Sequence, residues 1–224
     1  QVIAEFYRNQ IISRAAAPIL HQYLPDLPGR HYLHAGCGSG GSDQRWALQY
    51  ATVHALDFSL VALQMNRARR LPCPQWHIGG DLFRLPYRSQ SLDGIFNFGV
   101  MEHFDEAQIR QILAEFHRVL KPGGRIVIFW PPEFGLSVLA LKAFVAAAGL
   151  VRKAKPVLHP DEISRVQSFG WVRALMARSR FRVLRVRFDR RDVFTYVVVV
   201  ADATDAPAGA ARPGPAEAVV EVQR

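Results

Sequence analysis

His31-Tyr32-Leu33-His34-Ala35-Gly36-Cys37-Gly38-Ser39-Gly40-Gly41 is an apolar run that breaks into alternate glycines. A short apolar run of this kind reads as a buried strand, and the glycines read as a tight turn where a backbone can be approached closely. Further apolar runs lie at residues 52–56, 75–78, 92–98 and 125–130, with helical patterns between them at 42–50, 60–70 and 106–120. Strands alternating with helices at this spacing predict a parallel sheet covered by helices. Upstream, residues 2–23 carry apolar side chains at helical spacing until Pro25 and Pro28-Gly29 stop the pattern.

Downstream the alternation fails in a useful way. Residues 181–188 and 193–200 both read as strands, yet only residues 189–192 separate them. So short a link allows a hairpin but not a parallel crossover. The first of the two mixes apolar residues with Arg182, Arg185 and Arg187, as suits an edge guarded by charge. The second, with Val197 to Val200 unbroken, suits a strand buried on both faces. The last strand is therefore expected to slot in beside the sheet centre, antiparallel, leaving its predecessor outside. The expected fold class is α/β: a Rossmann-like, doubly wound, seven-stranded sheet with a final antiparallel strand.

The chain has 224 residues, half of them hydrophobic and 21% charged, which is ample for one globular domain. Two cysteines, Cys37 and Cys73, cannot make a disulfide framework, and no metal-ligand cluster is expected. The net charge of +9 is concentrated. Arg173, Arg178, Arg180, Arg182, Arg185, Arg187, Arg190 and Arg191 stand against Asp189, a net of +7 in one segment. Aromatic side chains do not interleave with these arginines as a base-stacking surface needs, so no nucleic-acid partner is expected. The longest apolar stretch, residues 138–151, contains Lys142 and is too short to span a bilayer. A soluble, cytoplasmic protein is the resulting expectation.

The glycine turn has a chemical partner. Gly36, Gly38 and Gly41 satisfy the dinucleotide-binding spacing G-x-G-x-x-G, and Asp57 ends the next strand 21 residues after Gly36. A carboxylate there can accept hydrogen bonds from both hydroxyls of a ribose. The alternative is a helix cap, although Ser59 can cap that helix by itself. To this point a nicotinamide-dependent oxidoreductase and an S-adenosylmethionine enzyme read alike.

Three further blocks separate them: Gly80-Asp81-Leu82-Phe83-Arg84-Leu85-Pro86-Tyr87, residues 91–104 (SLDGIFNFGVMEHF), and Arg118-Val119-Leu120-Lys121-Pro122-Gly123-Gly124-Arg125. In this order they resemble the class I S-adenosylmethionine-dependent methyltransferases, in particular small-molecule enzymes such as those of quinone biosynthesis. The resemblance spans roughly residues 32–130. It implies that Gly36, Cys37, Gly38 and Gly40 form the loop under the methionine and ribose portions of S-adenosyl-L-methionine. It further implies that Asp57 holds the ribose with Phe58 against the adenine, and that Asp81 meets the adenine amino group with Leu82 behind the ring. Asn97, Phe98 and Gly99 would line the methionine end, and Lys121–Gly124 would be a structural turn. One position departs from the family: His34 stands where an acid usually organises the loop.

On the acceptor side, His103 follows the fourth strand and is the candidate base, with simple packing as the alternative. Residues 131–161 are too long for a routine connection and read as a substrate-side insertion, its helix 136–151 suiting a hydrophobic acceptor or a membrane surface. Arg152, Lys153 and Lys155 follow that helix. The expected organisation is a helical segment over 1–28, the methyltransferase domain over 29–203 and a disordered, Ala/Pro/Gly-rich tail over 204–224. The expected activity is methyl transfer to a small acceptor, a lipid or another metabolite. The rivals are the oxidoreductase and a non-catalytic protein of the same fold.

Overall fold

The computed structural model describes residues 8–42, 44–69, 73–133, 163–192 and 194–205. The insertion helix 136–151, the basic loop after it and residues 206–224 of the tail lie outside the described residues. Seven strands form one sheet: β1 (His31–Ala35), β2 (Thr52–Asp57), β3 (Gln75–Gly79), β4 (Leu92–Phe98), β5 (Leu120–Trp130), β6 (Phe181–Phe188) and β7 (Val197–Ala203). Their order is β3-β2-β1-β4-β5-β7-β6. The first five run parallel, and β7 is antiparallel to both β5 and β6. The last strand thus inserts between β5 and β6, as its unbroken valines require. Every residue of β7 is buried, whereas β6 exposes Arg182, Leu184 and Arg185. Among the described residues the sheet is not continued by the further parallel strands that the oxidoreductase reading needs.

Helices cover both faces. On one side α1 (Ser13–Tyr23), entered through a π-helical turn at Arg8–Ile12, buries Ala16, Ile19 and Leu20 with Tyr32, Trp46, Phe96 and Phe129. α2 (Leu60–Ala68) lies beside β2 and β3. On the other side α3 (Glu106–Val119) and α4 (Phe169–Arg178) bury Ile109, Leu113, Phe116, Val172 and Met176 against Leu33, Ile95, Ile126 and Val199. α3 starts at a capping box: Asp105 accepts from the Gln108 N–H while the Gln108 side chain accepts from the Asp105 N–H.

Two local expectations need correction. The described residues of the expected helix 42–50, namely 42 and 44–50, are not helical. The Asp26 carboxylate, from the turn after α1, accepts the backbone N–H groups of Gln49, Tyr50 and Ala51 at 2.7–2.9 Å, which withdraws them from helical pairing. Trp46 and Leu48, two residues apart, are both buried, a spacing a helix face does not supply. The Lys121–Gly124 stretch, expected as a turn ahead of β5, is a bulge inside it. β4 advances from Leu92 to Gly94 while β5 advances from Leu120 to Arg125. Asp93 anchors this bulge, receiving Lys121 Nζ at 2.8 Å, Arg30 Nη1 at 2.7 Å and the His31 N–H at 3.0 Å. Burial pushes the Asp93 carboxyl up, but these donors outweigh it and hold it below the usual carboxylate range.

Candidate active site

The parallel strands β1, β2, β3 and β4 end along one side of the sheet, and their loops meet there. This is where open α/β sheets bind ligands, next to the point at which strand order reverses between β1 and β4. After β1 the chain turns at Gly36, with φ +70°, and the N–H groups of Gly36 and Cys37 both donate to the Leu56 carbonyl of β2. A side chain at Gly36 would come within 2.9 Å of Val100 Cγ2. Gly38, at φ +51°, donates its N–H to Asp57 Oδ2 at 2.8 Å. The second Asp57 oxygen accepts the Ser59 N–H at 2.8 Å, and Ser59 Oγ caps α2 by accepting from Ala62. Asp57 therefore ties the glycine loop to β2 rather than capping the helix.

Phe58, next to Asp57, is 86% exposed. Beyond β3, Asp81 Oδ1 accepts the Phe83 N–H at 2.9 Å, which fixes the carboxylate, and Leu82 is buried behind it. Beyond β4, Gly99 turns with φ +61° into a short helical turn at Met101–His103, placing His103 part-exposed. Gly36, Asp57, Phe58, Asp81, Leu82 and His103 all line one cavity of about 540 Å³, a size suited to a small-molecule ligand.

The other expected site residues lie elsewhere. The Cys37 side chain is buried with Ala55 and Leu63, on the α2 side of the loop. Gly38 and Gly40 shape the turn without lining the cavity, and Gly40 donates its N–H to the Cys37 carbonyl. Phe98 stacks on Phe129 at 4.3 Å between centroids, within the α1-side packing. His34 is buried and stacked on Phe96 at 4.4 Å. Phe83 and Phe104 also line the cavity, edge to face at 5.5 Å, and sequence reasoning missed them. Their signal was adjacency: each directly follows a residue that had been singled out.

Comparison with known proteins gives this geometry its context. Residues 33–128 match the family model described as a methyltransferase domain. Over these residues the chain is similar to class I S-adenosylmethionine-dependent methyltransferases. The demethylmenaquinone methyltransferase of Renibacterium salmoninarum is 37% identical over 112 residues, which is 49% of this chain and 45% of that protein. The malonyl-[acyl-carrier protein] O-methyltransferase of Dechloromonas aromatica is 34% identical over 119 residues, 52% of this chain and 42% of that one. The chain thus spans less than half the length of these two relatives. A Methanosarcina mazei S-adenosylmethionine-dependent methyltransferase structure superposes with a TM-score of 0.62 at 17% identity, covering 84% of this chain and 97% of that one. This likeness concerns the fold. Asp57, Asp81 and the glycine turn fall inside the matched residues.

Proposed function

We propose that the protein transfers a methyl group from S-adenosylmethionine to a hydrophobic small-molecule acceptor. The observation that carries this reading is the convergence of Asp57, Asp81 and the exposed Phe58 ring on one cavity roofed by the Gly36 turn. The residues fit the cofactor. Each Asp57 oxygen already holds one backbone N–H and keeps acceptor capacity for a ribose hydroxyl. With Oδ1 held by Phe83, Asp81 presents Oδ2 to an adenine amino group. Phe58 offers an uncovered aromatic face, and the bare Gly36 allows backbone approach.

S-adenosylmethionine supplies an electrophilic methyl group on a positively charged sulfur. What the protein contributes is chiefly placement, since holding a nucleophile close and collinear removes much of the barrier. His103 lines the same cavity and would serve as the base for an acceptor hydroxyl, which is needed only if the nucleophile carries a proton. Phe83, Val100 and Phe104 make that part of the cavity apolar, which supports a hydrophobic acceptor. The two relatives named for quinone and acyl substrates are consistent in class.

Calorimetric titration with S-adenosylhomocysteine, using NAD as control, tests the reading. Micromolar binding of the first alone is expected. Binding of NAD alone would return the oxidoreductase, and binding of neither would favour the non-catalytic protein. Acceptor screening then begins with quinones and acyl thioesters, and methylation of none of either class would overturn the acceptor assignment.

A further inference from the structure

The two edges of the sheet are built differently. β6 carries exposed Arg182 and Arg185 along its length, a charge guard against stray pairing. β3, the opposite edge, reads Gln75-Trp76-His77-Ile78-Gly79, with neither an acid nor a lysine nor an arginine. Its pairing to β2 fixes which way its backbone points. Val53 donates its N–H to the Pro74 carbonyl and Gly80 donates its N–H to the Asp57 carbonyl, so the even-numbered residues face β2. Gln75, His77 and Gly79 therefore present their backbone N–H and C=O groups outward. Among the described residues nothing pairs with them.

Apolar side chains flank this open edge on both faces of the sheet. Trp76 is 62% exposed on the face it shares with His54, whose ring lies 5.3 Å away. On the opposite face His77 Nε2 meets Asn66 Oδ1 of α2 at 3.1 Å, and α2 exposes Leu60 (67%), Val61 (66%) and Met65. A bare edge bordered by exposed apolar side chains is a site for strand addition.

The charge around the edge selects the occupant. Between Asp57 and Asp81 the chain contains Arg67, Arg69 and Arg70 and no further acid. Arg67 is exposed at the end of α2, on the helix that packs beside β3. Two copies meeting through β3 would bring Arg67 of each copy together, whereas acidic side chains would be drawn to it. We infer that β3 is the docking edge for a partner protein that adds a strand to the sheet and carries acidic side chains beside that strand. Backbone pairing to Gln75, His77 and Gly79 supplies the adhesion, Trp76 and Met65 supply apolar cover, and Arg67 selects against basic strands.

The test uses two fluorescein-labelled peptides, Glu-Glu-Val-Thr-Val-Thr-Val-Glu-Glu and its counterpart with lysine at every glutamate, titrated onto the full chain. The acidic peptide is expected to bind roughly tenfold or more tightly than the basic one, with the difference shrinking in salt. It should also slow amide exchange at Gln75, His77 and Gly79. Trp76→Glu, a change at an exposed side chain, should abolish this binding without lowering the thermal unfolding temperature. Arg67→Glu should reduce the preference for acid. Failure of the acidic peptide to bind, equal affinity for both peptides, or protection elsewhere would each overturn the inference. So would sedimentation showing that the protein self-associates through this edge and that Trp76→Glu reverses it.

Discussion

The Gly38 N–H donates to Asp57 Oδ2 at 2.8 Å, so the residue expected to hold a ribose also holds the glycine turn. Binding and loop shape are thus coupled through one carboxylate. Substituting Asp57 acts on both, and the two effects can be told apart by choice of side chain.

Asp57→Ala removes an acceptor from Gly38 and Ser59 and, on the proposed reading, from the ribose of the cofactor. Hydrogen bonds to a charged group are worth about 1.5–3 kcal/mol each, which corresponds to a loss of roughly ten- to a hundredfold in S-adenosylhomocysteine affinity. Asp57→Asn keeps one oxygen acceptor and should lose less. Calorimetry gives the affinities, and thermal unfolding shows what the loop itself has lost. Unchanged affinity in a folded Asp57→Ala protein would remove the ribose assignment.

Phe58→Ala provides the complementary case. The ring is 86% exposed, so its removal should leave unfolding unchanged. Base–aromatic stacking is worth about 1–3 kcal/mol by alanine substitution, so cofactor affinity should fall while stability does not. Equal affinity of the variant and the parent for S-adenosylhomocysteine would place the adenine elsewhere.

Gly94 marks a place where packing, rather than chemistry, fixes the residue. A Cβ there would lie 2.5 Å from Leu24 Cδ2 and 3.1 Å from the Arg125 carbonyl oxygen. Gly94→Ala should therefore destabilise by about 1–3 kcal/mol in urea unfolding. Adding Leu24→Ala should lower stability by less than the sum of the two single changes, because the larger clash is relieved.

His54 makes an acid-sensitive element. Burial, and then the charge of neighbouring His31, lower its pKa to about 4 from 6.5. The unfolded chain therefore binds a proton that the folded one refuses between these values, so stability falls as pH drops from about 6.5 to 4. His54→Phe should lose this part of the acid response, a difference on the order of 2 kcal/mol between the two proteins across that window. Unfolding midpoints at pH 7 and pH 4.5 measure it. Parallel pH profiles for the two proteins would mean that His54 takes up its proton as readily in the fold as in the unfolded chain.

How far the molecule was legible in the sequence depends on the range of the interaction involved. The strand-and-turn of residues 31–41 and the short link before the last strand are local, and both read through to the observed sheet. The placement of Val197–Val200 followed from burial alone, since four consecutive valines need cover on both faces. Residues 42–50 failed because the group that decides them, Asp26, lies more than twenty residues away in sequence. The Lys121–Gly124 bulge failed for a related reason: its anchor, Asp93, sits on the neighbouring strand. Within the site, residues carrying a charge or a glycine were visible, while Phe83 and Phe104 were not. Aromatic residues line cores and pockets alike, and only the fold distinguishes the two.

The insertion of β7 between β5 and β6 has a consequence for how the chain comes into being. On a ribosome, β5 is made first and must wait, one edge open, through the synthesis of α4 and β6 before its partner emerges. β6 cannot occupy that place, since its guarding arginines would be buried. The sheet is therefore completed late, by a strand delivered into a gap rather than added to a margin. A nascent chain halted before Val197 leaves the facing edges of β5 and β6 unjoined, and at this stage its apolar strands are most open to wrong pairing.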